Sequence, residues 1–214
     1  MRLTNANRKA VVYACRNYHY SKCAPAGIQY AYNVYNADND WCGVVLFSGG
    51  ANRNIGSPFG LKYGEVLELT RVALNGKQET TSKAVAMALK RLKHDDPLCK
   101  LVVSYADIDQ DHYGTIYQAT NWIYLGDMKG QEYFIINGRH VHKKNLARSG
   151  ETLSESFERV KRSKDPSAKR VMSKGKRKYV FCFEKKMRKK YLKQAKPYPK
   201  RKESEMVANG KEEP

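Results

Sequence analysis

Between Glu65 and Tyr105 the hydrophobic pattern of the chain changes twice, and this alternation limits the folds open to it. Apolar and polar residues alternate over residues 65–74, as in a strand, whereas apolar residues follow helical spacing over residues 82–93. The polar turn NGKQETTS separates the two, and a second strand-like run covers residues 100–105. Strand, turn, helix and strand in this order predict an α/β fold with a mixed β-sheet.

Further elements extend this pattern on both sides. The predicted helices lie at residues 7–16 and 114–121, and the predicted strands at 29–34, 41–48, 122–126, 132–136 and 177–183. The first two of these strands are expected to pair as a hairpin. A basic helix is expected at residues 185–196, and residues 197–214 have the composition of a disordered tail.

Positive charge is concentrated in the last third of the chain. The formal net charge is +19, and residues 159–202 alone hold 20 Lys and Arg with aromatic residues between them. Cations suit phosphates and aromatic rings suit bases, so a nucleic acid is the first candidate partner. An anionic membrane surface is second, although no sustained apolar face accompanies the charge. A solvated, disordered tail remains the alternative.

The cysteines and the hydropathy bear on the compartment. The five cysteines form no CxxC pair, which favours reduced thiols over a disulfide framework or a zinc ribbon. No run of 18 apolar residues is present, and no signal peptide is recognisable. The expectation is a soluble cytoplasmic protein that acts where it is made.

The segment from Ser104 to Gly126 places acids, a histidine and tyrosines directly after an apolar run. Chemistry in α/β proteins is common just past the carboxyl ends of strands. Its DIDQD motif begins like a calcium loop, but His112 stands where the loop needs glycine and Gln118 where it needs glutamate. An acid/base or transition-metal role for Asp107 with His112 stays open, while Asp109 and Asp111 are expected to cap the following helix.

Three other places carry candidate residues. His19 and Tyr20 lie in a loop and could bind a metal or stack on a base, although a lone loop histidine is more often structural. Arg71 interrupts an apolar strand, so it needs Glu65 or Glu68 as a partner, or else it binds a phosphate or carboxylate. The turn over residues 75–82 is equally consistent with a phosphate site and a plain strand–helix connection.

Three motifs resemble the Mom family of bacteriophage DNA-modification proteins. They are ELTRVALN at 68–75, VVSYADIDQDHYGTIYQATNWIYLG at 102–126 and NYHYS at 17–21. The resemblance implies a GNAT acyltransferase-like fold, with a mixed β-sheet flanked by helices and a basic C-terminal extension. The resemblance covers roughly residues 10–140, with a looser match at 178–181. Together with the charge distribution it gives a GNAT-like catalytic domain at 1–150, a basic DNA-binding extension at 151–196 and a disordered tail at 197–214.

The resemblance also implies an activity. Members of this family convert adenine in duplex DNA to N6-carbamoylmethyl adenine, which protects phage DNA from host restriction. Acetyl-CoA is an implied donor and iron an implied metal. The residues that match family motifs are His19, Tyr20, Arg71, Ser104 and Asp107, to which we add His112 and Tyr117 from their positions. His19, Tyr20 and Asp107 are the candidate metal ligands.

Binding residues follow from the same resemblance. The donor turn is expected at Gln78, Thr80, Thr81 and Ser82, where QETTSK lacks the glycines of an ordinary CoA turn. Contacts to double-stranded DNA are expected from Lys143, Lys144, Arg148, Lys176, Arg177 and Lys178. A GNAT-like acyltransferase acting on a protein or a small amine and a non-catalytic nucleic-acid-binding protein are the alternatives.

Overall fold

The computed structural model describes residues 1–50 and 53–200, apart from the side chains of residues 140, 142 and 144. The described chain divides into two compact units. The larger contains the described parts of Met1–Ala106, Tyr113–Gly126 and Arg177–Lys200, and the smaller contains Asp107–His112 and Asp127–Lys176. The smaller unit therefore interrupts the larger one twice in sequence.

A seven-stranded sheet forms the centre of the larger unit. Its strands are β1 (Arg2–Asn5), β2 (Ile28–Tyr35), β3 (Trp41–Ser48), β4 (Val66–Leu74), β5 (Leu101–Asp107), β6 (Ile123–Met128) and β10 (Lys176–Cys182). They lie in the order β1-β2-β3-β4-β5-β10-β6. The first four strands pair antiparallel, whereas β4 and β5 pair in parallel. This confirms the predicted hairpin and the predicted mixed sheet flanked by helices.

Helix α2 (Thr81–Asp95) connects the two parallel strands. Parallel neighbours need a crossover of about a dozen residues or more, and a helix usually forms it. The side chain of Thr80 accepts a hydrogen bond from the backbone of Lys83 and so caps the first turn. The apolar face of α2, from Ala84 to Leu92, is buried against the sheet. Lys93 and His94 stand in the last turn, where cations suit the helix dipole.

The two parallel strands stay paired for only part of their length. Their register runs from Val66–Leu101 to Glu68–Val103 and stops there, although both strands continue. Past this point the backbone carbonyl of Leu69 needs another partner, because a buried carbonyl without one is costly. A gap between adjacent strands is therefore built into the middle of the sheet.

Helices cover both faces of the sheet. One face packs against α2 and against α3 (Thr115–Gln118), with Trp122 and Tyr179 fully buried there. The other face packs against α1 (Arg8–Tyr18) and, near its far edge, against α5 (Lys185–Leu192). The side chain of Asn7 caps α1, which explains why that helix begins where the sequence predicts.

The smaller unit has its own core. It pairs β8 (Arg139–His142), β7 (Glu132–Ile136) and β9 (Lys169–Met172) in that order, and it includes α4 (Leu153–Ser163). A capping box between Thr152 and Glu155 begins α4. Phe134, Leu146 and Val160 form its buried centre. This cluster is separate from the clusters of the larger unit.

The structure draws the domain boundaries at other places than the sequence suggests. The strand predicted at 177–183 is β10, which lies between β5 and β6 in the central sheet and is not part of an appended extension. The strand predicted at 132–136 belongs to the smaller sheet and does not continue β6. Both differences have one cause: strand pairing is non-local, so sequence adjacency does not determine it.

The C-terminal segment is attached to the edge strand β6. The backbone of Lys196 donates to the carbonyl of Tyr124, and the Tyr198 hydroxyl donates to the carbonyl of Trp122. Residues 197–200, predicted to be disordered, are thus held against the sheet and cover an edge that would otherwise be open. Residues 201–214 lie outside the described residues. Within the described part of the chain, none of the helices is long and apolar enough to cross a membrane.

Candidate functional site

Ser104 and Tyr117 meet at the gap between the parallel strands. Ser104 Oγ lies 2.8 Å from the carbonyl oxygen of Leu69 and 2.8 Å from the hydroxyl of Tyr117. The carbonyl can only accept, so it receives the one hydroxyl proton of Ser104, and the Tyr117 hydroxyl donates to Ser104 Oγ. The serine thus replaces the missing strand pairing and also orients the tyrosine.

Tyr117 is held in an aromatic enclosure. Its ring lies 5.1 Å from that of Trp122 and 5.0 Å from that of Tyr179. Gly114 begins α3 with a φ of +74°, and a Cβ there would stand 2.5 Å from the Tyr179 ring, so only glycine fits. Burial raises the pKa of Tyr117 to about 12. The group is therefore a protonated hydrogen-bond donor at neutral pH.

Two further groups lie close enough to affect the ionisation of Tyr117. Burial is the main cause of the raised pKa of Tyr117 and of Tyr105; Tyr20 and Glu68 add to it for Tyr117, and Glu68 adds to it for Tyr105. Glu68 stands at the last paired position before the strands part. The loop residue Tyr20 and a carboxylate of β4 thus belong to the surroundings of the Ser104–Tyr117 pair.

His19 and Tyr20 follow the end of α1. His19 Nδ1 lies 2.8 Å from the hydroxyl of Ser21 and accepts a hydrogen bond from the Ser21 backbone. Its ring lies 4.4 Å from the ring of Tyr20, which is 47% exposed. Nδ1 is engaged with Ser21, so any ligand would be bound through Nε2. The exposed Tyr20 offers a flat surface for stacking.

Arg71 lies on the opposite face of the sheet from Ser104. It pairs with Leu46, whose side chain packs against α1. Nη1 donates to the carbonyl of Thr70 at 2.7 Å, and the buried Nε has no hydrogen-bond partner among residues 1–50 and 53–200. Its positive charge opposes the effect of burial on the pKa of Cys15. An ion pair with Glu65 was one prediction, but Glu65 is paired with Lys100 at 2.7 Å.

Asp107 and His112 belong to the smaller unit. The carboxylate of Asp107 accepts from the backbone of Asp109 at 3.0 Å and caps a turn of 3-10 helix. The backbone of His112 donates to the carbonyl of Asp107. The prediction that Asp109 and Asp111 cap the next helix is wrong, because Gly114 holds that position and Asp109 accepts from the backbone of Lys174.

The resemblance implies that Asp107 is a base in DNA modification, so Asp107→Asn is expected to lower that modification about 10²-fold or more. The amide oxygen of asparagine can still accept from Asp109, so the fold should be retained. Modified nucleoside from cellular DNA measures the activity, and circular dichroism checks the fold. Asp111→Asn, which removes a neighbouring charge, is the matched control. Unchanged modification in Asp107→Asn would assign this carboxylate to the turn alone.

The implied iron has no evident site. The described residues include no group of three His, Cys, Asp or Glu side chains that could hold a metal ion. The ligand set proposed from sequence, His19, Tyr20 and Asp107, draws on both units of the chain. Histidine and aspartate are usual ligands of non-haem iron, and this ligand set stays a prediction.

The turn before α2 is held by its own side chains. Thr80 Oγ1 accepts from the Lys83 backbone at 3.1 Å and from the Ser82 hydroxyl at 3.3 Å. Gln78 Nε2 donates to Thr81 at 3.0 Å. The backbone N–H of Lys83, which a glycine-rich turn would offer to a phosphate, is therefore already used. Of the four residues predicted to bind the donor, Thr80 and Ser82 line a cavity.

This cavity lies along the exposed side of α2 and has a volume of about 850 Å³. Its other walls are the chain just after α3, the end of β10 and the side chain of Arg188. The cations at its surface are Lys83, Lys90, Lys93 and Arg188. The volume is in the range of small-molecule sites in proteins.

The predicted DNA contacts divide into two kinds. Lys143, Arg148 and Lys176 are exposed, whereas the side chain of Lys144 lies outside the described residues. Arg177 instead lies 4.6 Å from the ring centre of Tyr113, and Lys178 lies 4.5 Å from that of Phe59. Burial lowers the pKa of Lys178. Arg177 and Lys178 are thus half-buried and packed on rings, because β10 lies inside the sheet.

Several candidates were missed in the sequence. Lys83, Lys90 and Lys93 share one side of α2, and their spacing of seven and three residues would have shown it. Arg188 approaches them only through the fold, so no local pattern points to it. The sequence also indicates which side of α5 its lysines occupy. Met187 and Tyr191 are four residues apart, so they mark the inner face of the helix and leave the lysines on the outer face.

Three similar structures are of the spermidine N-acetyltransferase SpeG of Vibrio cholerae. A chimera of SpeG and hSSAT has 10% identity and a TM-score of 0.48, covering 90% of this chain and 99% of that chain. A single-residue variant of SpeG has 9% identity and a TM-score of 0.47, covering 85% of this chain and 95% of that chain. A complex of SpeG with manganese ions has 10% identity and a TM-score of 0.46, covering 91% of this chain and 96% of that chain.

No curated protein sequence matched the chain. The sequence model of the Mom protein family does match, and it covers residues 1–200. That range includes all three motifs, the central sheet, the smaller unit and the C-terminal segment along β6. The match extends over nearly the whole length, and we conclude that the chain belongs to the Mom protein family.

Proposed function

We propose that the chain converts adenine in duplex DNA to N6-carbamoylmethyl adenine and so protects phage DNA from restriction. The family match over residues 1–200 carries this proposal, since it makes a transferase-like protein of phage DNA modification the functional class. The polar groups around the gap between β4 and β5 support it, because they supply proton-transfer groups beside a buried tyrosine.

The substrate atom determines what the site must do. Adenine N6 is inside the base pair, so the base has to leave the stack, which requires a few kcal/mol. The exposed ring of Tyr20 suits stacking on such a base. Asp107 is the proposed acceptor of the N6 proton, and the Tyr117 hydroxyl is the proposed group that places the substrate or donates a proton to it. Ser104 holds Tyr117 in place for that role.

CoA is an implied donor, and the cationic cavity along α2 fits its phosphates. Thr80, Ser82 and Lys83 would hold it at one end of the cavity. When bound, an acyl-CoA supplies a two-carbon unit as a thioester. Simple acyl transfer would join N6 to the carbonyl carbon, whereas the carbamoylmethyl group joins N6 through the methyl carbon and carries an amide nitrogen. The two products are therefore distinguishable.

Two other functions remain as outcomes of the test. An acyltransferase for a protein or a small amine would not need the cation-rich C-terminal segment. A non-catalytic nucleic-acid-binding protein would not need the Ser104–Tyr117 pair or the cavity.

The test is mass spectrometry of nucleosides from the DNA of cells that express the chain. A deoxyadenosine carrying the carbamoylmethyl group is expected, and cells that express His19→Ala should contain far less of it. N6-acetyl deoxyadenosine would indicate plain acyl transfer to DNA. Unmodified DNA beside an acetylated protein or amine would favour the first alternative, and no new product of any kind would favour the second.

A further inference from the structure

The cavity along α2 has the charge of a site for an anionic ligand. Lys90 and Arg188 have no acidic partner within ion-pair distance among the described residues, and no Asp or Glu lines the cavity. Lys83 approaches Glu79 only at 3.9 Å and on the surface. Lys93 Nζ contacts the carbonyl of Pro97 at 3.4 Å, a neutral group. Four cations gathered around one cavity with little compensation favour phosphates.

The floor of the cavity is apolar. Leu89, Phe181 and Phe183 contribute to it, and Lys93 lies 5.4 Å from the Phe183 ring centre. An inorganic anion would not use such a surface. A nucleotide base or an aliphatic arm would, because apolar area is then removed from water on binding.

The length of the cavity indicates more than one anionic group. Lys83 and Lys93 are ten residues apart on α2, which corresponds to about 15 Å at 1.5 Å per residue. The cations are therefore spread along the helix. A ligand with more than one phosphate and an apolar arm can use several of them at once, and CoA-type nucleotides have that chemistry.

We propose that Lys83, Lys90, Lys93 and Arg188 hold the phosphates of a CoA-type donor, in place of the backbone of a glycine-rich turn. Thr80 already uses the backbone N–H of Lys83, so side-chain cations take over the task of the turn. Arg188 is positioned for this by the bond from its Nη1 to the carbonyl of Asn121 at 2.9 Å, which leaves its other donors available. The proposal rests on the proposed function, which gives the donor its use, but its test measures CoA binding and does not require DNA modification.

Calorimetry on the full chain tests this, with CoA, 3′-dephospho-CoA and inorganic phosphate as ligands. CoA is expected to bind more tightly than dephospho-CoA, and both more tightly than phosphate. The double variant Lys90→Gln, Lys93→Gln should weaken CoA binding by about ten- to a hundred-fold, as loss of charge-assisted hydrogen bonds does, and should reduce the preference for CoA over dephospho-CoA. Lys161→Gln, Lys164→Gln, at exposed positions in the last turn of α4 and directly after it, is the control.

The proposal is overturned if CoA does not bind, if inorganic phosphate binds as well as CoA, or if the cavity variant binds CoA like the control. Circular dichroism must show that both variants are folded. Replacing the glutamine at position 90 of the cavity variant by arginine should restore part of the CoA binding, since arginine restores the positive charge. Failure of the proposed function gives a different result. CoA would then still bind through these residues while DNA from expressing cells stays unmodified.

Discussion

Neutralising the four exposed lysines of α5 is expected to weaken binding to duplex DNA by on the order of 10²- to 10³-fold at low salt. The variant carries Lys185→Gln, Lys186→Gln, Lys189→Gln and Lys190→Gln. Each lost phosphate contact flattens the dependence of log affinity on log salt by about 0.9, so a slope change of roughly 3 to 4 is expected.

The geometry of α5 explains why these four act together. Tyr191 is buried and donates to the carbonyl of Phe59, and Met187 packs beside it, so one face is fixed to the sheet. At 3.6 residues per turn the four lysines share the opposite face. Residues 185–200 contain eight Lys and Arg and no Asp or Glu, so no acid in this segment neutralises them.

The measurement is a salt titration of binding to a duplex, with modification followed in parallel. Glutamine has nearly the helix propensity of lysine, so α5 should stay folded. The matched control replaces four exposed lysines from separate elements, namely Lys9, Lys62, Lys77 and Lys164. An equal loss in both variants would mean that net charge alone matters. A preference for RNA or anionic vesicles over duplex DNA would contradict the partner.

What the sequence could predict was mostly local. Spacing of apolar residues located α2, and a good cap at Thr80 explains why its start was predictable. The position of β10 between β5 and β6 could not be read in this way, because fifty residues of the smaller unit separate it from β6 in the chain. Arg177 and Lys178 were therefore predicted as DNA contacts although they pack on rings.

The candidate site shows the same division. The motif around Ser104 and Tyr117 was selected because polar residues followed an apolar strand, and the structure does join these two side chains. The structural role of this pair depends on where β4 and β5 stop pairing. The spacing of residues in the sequence does not encode that position. Arg71 was expected beside them, but its register with Leu46 places it on the other face.

Tyr117→Phe is expected to lower DNA modification more than stability, and Ser104→Ala to lower stability more than DNA modification, because the two hydroxyls have different roles. In Tyr117→Phe the serine keeps its bond to Leu69, so the free energy of unfolding should fall by only about 1 kcal/mol. DNA modification should fall by about 10²- to 10⁴-fold, the usual contribution of a positioned proton donor. The pKa of about 12 keeps Tyr117 protonated at neutral pH, so this loss should not vary between pH 6 and 8.

Ser104→Ala should lower the free energy of unfolding more than Tyr117→Phe does, and DNA modification less. It leaves both the carbonyl of Leu69 and the hydroxyl of Tyr117 without their partner in a place where Ser104 is 1% exposed, and each such buried group costs about 1–3 kcal/mol. Urea titration should therefore place Ser104→Ala below Tyr117→Phe in stability, while its remaining modification exceeds that of Tyr117→Phe, since the tyrosine hydroxyl is still present. Full modification by a folded Tyr117→Phe protein would leave the tyrosine a packing role only. The gap between β4 and β5 would then need another proton donor, and Tyr20, an exposed phenol that also affects the pKa of Tyr117, is the next one to replace.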